Sequence, residues 1–184
     1  MKPQLLTEVD FERLRYPLWV ERKYDGHRLL IHVDESGRGS AWSREGRPVR
    51  AAQWIADEAA RVAPAGWYDG ELAGETWSAT QSAVMRRDGS KLTWWAFDAL
   101  TPEEVTDGGS QVPLEARRAR LQALRDVPGV RLVESALCES EDRLGELFLA
   151  AMAAGHEGLV TKACGSGYAC GTRVPTWVKV KPCS

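Results

Sequence analysis

The chain has 184 residues, 43% of them hydrophobic, with eight tryptophans and a formal net charge of −2. These figures leave room for one well-buried domain or slightly more, and they exclude a disordered chain. They also exclude the overall basicity of a dedicated nucleic-acid binder, so any basic surface must be local.

No stretch approaches the roughly 18 apolar residues of a membrane span, and the N-terminus has no charged-then-apolar export pattern. A cytoplasmic protein is therefore expected. Cys138, Cys164, Cys170 and Cys183 are irregularly spaced. They lack the paired Cys-x-x-Cys or His clusters of a zinc site and are expected to be reduced thiols.

Residues 1–16 are polar and mixed, with a short turn at Phe11-Glu12-Arg13-Leu14. The apolar run Pro17-Leu18-Trp19-Val20, the segment Glu21-Arg22-Lys23-Tyr24-Asp25-Gly26-His27-Arg28 and the run Leu29 to Val33 read as strand, tight turn, strand. From Trp19 to Trp42 the pattern predicts an antiparallel meander ending in the polar turn Ser43-Arg44-Glu45-Gly46. Lys23 sits in the first turn. A lysine is a nucleophile only when neutral, so a catalytic role needs desolvation or nearby positive charge. The alternative is a solvated lysine on a surface hairpin.

Ala51 to Val62 has helical spacing, with Trp54, Ile55, Ala59 and Val62 on one side, and Pro64 and Gly66 stop it. Trp67 to Gly74 reads as a strand containing Glu71, either an exposed-face residue or a functional carboxylate. Ser78 to Arg87 is a predicted helix. Leu92 to Leu100 is a near-continuous apolar run, the signature of a buried strand. Strict alternation would put Trp95, Phe97 and Ala99 on one face and Trp94, Ala96 and Asp98 on the other. Phe97 is open to a core role or a ligand-platform role.

Thr101 to Gln111 reads as a loop, Pro113 to Leu124 as a charged helix and Val130 to Val133 as a short strand. A helix with Leu144, Leu147, Phe148, Ala151 and Met152 at helical spacing stops at Gly155. His156 to Lys162 is a turn into a strand. Thr176 to Lys181 is a strand with Lys179 and Lys181 on one face, which is either an aggregation-blocking edge or a site for anions.

In order, the chain carries Lys-x-Asp-Gly-x-Arg, Ser-Arg-x-Gly, Asp-Gly-Glu-Leu, Phe-Asp, Glu-Gly-Leu-Val-x-Lys and Trp-x-Lys-x-Lys. This series, with Tyr168-x-x-Gly-x-Arg173 before the last strand, resembles the nucleotidyltransferase domain of ATP-dependent DNA ligases from about Glu21 to Lys181. The resemblance implies an α+β fold, ATP-grasp-like, with antiparallel sheets flanked by helices and a nucleotide cleft between them.

It implies that Lys23 attacks the α-phosphorus of ATP to give a lysyl-AMP, which passes to the 5′-phosphate of a nick in double-stranded DNA. Lys179 and Lys181 would activate Lys23 and hold the α-phosphate. Glu71 and Glu157, with Asp25 as a further candidate, would hold Mg²⁺ or Mn²⁺. Glu71 and Arg28 would approach the ribose, and Phe97 would stack on the base. Glu21 would accept from the adenine amino group, favouring ATP over GTP. Arg44 and Arg173 would meet the nucleic acid, Arg44 at the 5′-phosphate, and Lys162 the nucleotide phosphates.

The same resemblance makes residues 1–184 a single nucleotidyltransferase domain. The family's oligonucleotide-binding-fold domain is not visible in the sequence, and the expectation is a minimal enzyme, a fragment, or a chain whose partner supplies that domain in trans. An RNA ligase, a capping-type nucleotidyltransferase and a non-catalytic nucleic-acid-binding module remain as alternatives.

Overall fold

A computed structural model describes residues 1–8 and 13–182. Phe11 and Glu12 of the predicted N-terminal turn lie outside the described residues, as does Cys183. In chain order the strands are β1 (Leu5–Thr7), β2 (Leu18–Arg22), β3 (His27–Val33), β4 (Gly39–Ser43), β5 (Gly66–Ala73), β6 (Thr93–Leu100), β7 (Gly109–Ser110), β8 (Val130–Leu132), β9 (Ser135–Cys138), β10 (Leu159–Ala163), β11 (Tyr168–Ala169) and β12 (Arg173–Val180). The helices are α1 (Gln53–Ala60), α2 (Trp77–Arg86), α3 (Pro102–Thr106), α4 (Leu114–Ala119) and α5 (Glu141–Ala153).

The described residues form two five-stranded sheets, ordered β4-β3-β5-β6-β8 and β1-β12-β10-β2-β9, and a small β7-β11 ribbon. The predicted meander is thereby corrected. β3 and β4 pair antiparallel, but β2 pairs with β9 and β10 in the other sheet. Residues 23–26 are therefore a crossing between sheets and not a hairpin turn. Gly26 is needed there, since a Cβ would stand 2.3 Å from the Leu72 carbonyl oxygen.

Each sheet buries one face under helices. α1 contributes Ile55, Ala56 and Ala59 to a core shared with Leu29, Ile31, Leu72 and Trp94. Val62, expected on that side, lies beyond the helix end and is 56% exposed. α5 supplies Leu144 and Ala151 to a second core with Val20, Leu159 and Val178. It begins at Ser140, whose side chain accepts from the Arg143 amide, and ends before Gly155 at φ 72°. A third cluster, Leu100, Leu114, Tyr168 and Trp177 with Phe97 against it, lies between the sheets.

Two further expectations change. The loop predicted over 101–111 contains α3, which starts with a capping box between Thr101 and Glu104. The strict alternation along β6 also fails. Asp69 pairs with Asp98 but Gly70 with Ala96, so Phe97 is an extra residue in the register. An inserted residue reverses the faces that follow it. Ala99 accordingly joins Trp94 and Ala96 in the helix-side core, while Asp98 turns to the space between the sheets.

Asp98 is fully buried there and takes two hydrogen bonds from the equally buried Arg117 of α4, Nε to Oδ1 and Nη2 to Oδ2, both at 2.8 Å. Arg117 also donates to the carbonyls of Val112 and Ser166. Removing one partner of such a pair leaves an uncompensated buried charge. Arg117→Met is expected to lower the free energy of unfolding by roughly 3–5 kcal/mol, measured by urea denaturation. A loss under about 1 kcal/mol would contradict this account.

Candidate functional site

The crossing at residues 23–26 places Lys23 at the mouth of the space between the sheets. Its amide donates to the Gly158 carbonyl at 2.9 Å, continuing the β2–β10 pairing by one step. Gly158 has φ 150°, and a Cβ there would lie 2.2 Å from the Val180 carbonyl oxygen. The residue before it, Glu157, is thus delivered directly to Lys23. Lys23 Nζ donates to Glu157 Oε2 at 2.5 Å, and Lys181 Nζ is paired with Glu157 Oε1.

Two cavities meet at this lysine. The first is a cleft of about 410 Å³ between the sheets, walled by Glu21, Phe97, Val160, Lys162 and Trp177. The second is a groove of about 1080 Å³ bordered by Arg44, Arg173, Lys179 and Lys181. Lys23, Arg28 and Glu71 line both. The structure therefore brings Lys23, Glu21, Arg28, Glu71 and Phe97 together around one cleft, and Lys179, Lys181, Arg44 and Arg173 along the groove that continues it. Glu157 and Asp25 line an adjoining cavity on the far side of Lys23.

Lys162 is placed differently from its expected position near the phosphates. It is buried beneath the cleft, with Nζ 4.4 Å from the centre of the Phe97 ring and 4.1 Å from that of Trp177. Nζ lies 2.8 Å from Glu21 Oε2, as an ion pair rather than an aligned hydrogen bond. Burial lowers its pKa, against the pull of Glu21 and Asp98. Arg28 Nε and Nη2 each meet Asp69 at 2.6 Å, and the guanidinium stands 4.7 Å from the Phe97 ring centre. Burial works against its charge, but Asp69 outweighs that effect and the Arg28 pKa is raised. Lys179 is paired with Glu8, Arg44 with Glu45 at 3.0 Å, and Arg173 with the Leu6 carbonyl.

Several contributors were assigned no role from sequence. Asp69 also accepts from the Tyr168 hydroxyl at 2.6 Å, and Arg118 is paired with Glu21. The available signal is a carboxylate inside or beside a largely apolar strand, because such a group, once buried, requires a partner. The identity of the partner was not available, since these contacts span about half the chain or more.

Among the described residues no cluster of three or more His, Cys, Asp and Glu side chains could hold a metal ion. Two carboxylates fit a Mg²⁺-type ion that takes its remaining oxygens from phosphate and water. Glu71 has no hydrogen-bond partner among the described residues, so its oxygens are available; Glu157 is already engaged by two lysines. Burial, the largest influence, pushes the Glu71 pKa up to about 7 against Arg28 and Lys23. Burial also acts to raise Glu157, but Lys181 and Lys23 together bring it below the usual carboxylate range.

A carboxyl raised from 4.5 to about 7 contributes stability that is fully present below pH 4.5 and lost as pH rises through 7. Glu71→Gln cannot titrate. Relative to the parent it should gain stability between pH 5 and 8, by at most about 3 kcal/mol, in urea melts across that range. A pH-independent difference would show that the Glu71 carboxyl is not raised.

The chain matches the family described as "ATP dependent DNA ligase domain" over residues 4–181. It is 32% identical over 179 residues to a "Probable DNA ligase" of Anaeromyxobacter dehalogenans, covering 88% of this chain and 34% of that protein. Among solved structures, "Pmar-Lig_Pre." superposes with a TM-score of 0.85 at 21% identity, covering 98% of this chain and 46% of the other. "Mycobacterial DNA ligase D complexed with ATP and MES" does so with 0.74 at 25%, covering 100% and 60%. The chain spans about a third of the length of the curated relative. No helix among the described residues is long and apolar enough to cross a membrane.

Proposed function

The chain belongs to the ATP-dependent DNA ligase domain family, and from that premise we propose that it forms a covalent lysyl-AMP on Lys23 and transfers the AMP to the 5′-phosphate of a nick in duplex DNA. The observation that carries this reading is the pair of cavities joined at Lys23, one aromatic-walled, the other cationic.

The aromatic-walled cleft suits a purine, with Phe97 and Trp177 as apolar surface and Glu21 as an acceptor for its amino group. Arg28 and Glu71, at the junction, stand where a ribose would lie. The nucleophile is the neutral amine. Attack therefore requires Nζ to leave its ion pair with Glu157 and to lose a proton to water, since the lowered pKa of Glu157 makes it a weak proton acceptor. A nitrogen–phosphorus bond then forms as the bond from the α-phosphorus to the bridging oxygen breaks, and pyrophosphate leaves. Lys179 and Lys181 supply positive charge along that groove to the phosphates.

Glu71, and Glu157 once freed from its lysines, would hold Mg²⁺ or Mn²⁺, which neutralises phosphate charge. Arg44, 57% exposed at the groove margin, presents a forked donor set suited to a terminal phosphate. An oligonucleotide-binding fold, in the same polypeptide or in trans, would close the duplex against the groove. A cytoplasmic setting is supported by the free thiols of Cys138, Cys164 and Cys170.

Incubation with labelled ATP and a divalent cation, followed by denaturing electrophoresis, is expected to label the chain covalently. Lys23→Ala should abolish the label; normal labelling of that variant would assign the nucleophile elsewhere. Arg44→Ala is expected to retain enzyme–AMP formation while slowing AMP transfer to a nick by about tenfold or more, measured in single turnover. Equal losses in both half-reactions would argue against a phosphate role for Arg44.

A further inference from the structure

Glu21 forms a wall between two cavities, and its two carboxylate oxygens are held from opposite sides. On the cleft side Oε2 meets Lys162 Nζ at 2.8 Å. On the outer side Oε1 accepts from Arg118 Nη1 and from Ser135 Oγ, the latter at 3.1 Å. Arg118 and Ser135 line a separate open cavity beyond the wall, together with Trp19 and Glu134. The Arg118 fork is itself fixed, because Nη2 donates to the Val133 carbonyl at 2.7 Å. Its neighbour Arg117 is anchored on Asp98, so α4 cannot shift independently of β6.

A carboxylate offers about four acceptor positions, two on each oxygen. Arg118 and Ser135 occupy those of Oε1, while Oε2 meets Lys162 as an ion pair and not as an aligned hydrogen bond. Acceptor capacity therefore remains on Oε2, the oxygen that faces the cleft. A purine with an amino group at its 6-position presents a donor to that oxygen, whereas a 6-oxo purine presents an acceptor and is repelled. Discrimination of this kind depends on the acceptor being unable to rotate away. The contacts that prevent rotation come chiefly from outside the cleft.

We propose that Arg118 is a specificity-positioning residue, which fixes Glu21 from behind so that the choice of a 6-amino over a 6-oxo purine nucleotide is set in part by a side chain that never touches the nucleotide. The inference rests on the reading of Glu21 as the residue that meets the base. Ser135 is the minor partner in the same task.

The test measures kcat and KM for covalent nucleotide transfer to the full chain with ATP and with inosine triphosphate, whose purine carries a 6-oxo group. Arg118→Met is expected to narrow the ATP preference about tenfold, mainly through a higher KM for ATP, with little change for inosine triphosphate. Arg118→Lys should restore part of the preference. In a Glu21→Gln background, Arg118→Met should alter the ratio by less than about twofold, because the group it positions is gone. Should Arg118→Met fail to fold, Ser135→Ala, which removes one oxygen, must still narrow the ratio by about two- to threefold.

If Glu21→Gln leaves the ratio unchanged, the reading of Glu21 is wrong and the inference falls with it. If Glu21→Gln narrows the ratio but neither Arg118→Met nor Ser135→Ala does, the positioning role is overturned while Glu21 keeps its own. A fall in kcat of equal size for both nucleotides in Arg118→Met would mark the residue as merely structural, and would also overturn the proposal.

Discussion

A carboxylate removed from water must find cations or hydrogen-bond donors, and three such groups, Asp69, Asp98 and Glu21, govern how the two sheets of this protein meet. Asp69 and Asp98 project from β5 and β6 of one sheet, and Glu21 from β2 of the other. Asp69 is met by Arg28 of the adjacent strand β3 and by Tyr168 of the β11 ribbon, Glu21 by Lys162 of the adjacent strand β10 and by Arg118 of α4, and Asp98 by Arg117 of α4. Two of these pairings, Arg28 with Asp69 and Lys162 with Glu21, join adjacent strands of one sheet, and the others bring α4 and the β11 ribbon onto the sheets. The cleft stays open because its walls are held by charge pairs at its edges and by the aromatic cluster of Phe97, Tyr168 and Trp177 at its base.

Lys23 depends on that arrangement at second hand. The backbone fixes its position, through the hydrogen bond from its amide to Gly158 and the close passage of Gly26 against Leu72, and the ion pair with Glu157 holds its amine. Both glycines are required because another backbone carbonyl occupies the place of a Cβ. One strand pairing therefore sets the separation of Lys23 and Glu157, and Lys181 is carried in beside them by the pairing of β12 with β10.

The cations of the groove are paired internally. Lys23 and Lys181 share Glu157, Lys179 meets Glu8, and Arg44 meets Glu45. This accounts for a site lined with lysine and arginine in a chain whose net charge is −2. An anion entering this groove would exchange with carboxylates, so the gain on binding would be the difference between two charge-assisted contacts.

The amino-acid sequence determined the family resemblance, the order of the motifs and most of the elements, because hydrophobic period, capping residues and glycine-bounded turns are local properties. It also marked Lys23, Glu71, Lys179 and Lys181 as unusual, each standing in or beside a strand that would otherwise be apolar. The tertiary structure alone decided that β2 leaves β3 for another sheet, that an extra residue at Phe97 turns Asp98 toward the space between the sheets, and that Lys162 lies under the inter-sheet cleft beside Glu21 instead of along the cationic groove. The reason is physical. A period of two says which side chains share a face, but not which strand will lie alongside or where one inserted residue will invert the pattern. Nor can it name the partner of a buried charge when, as for Glu21 and Arg118, that partner is 97 residues away and reaches the site only after the sheets have closed.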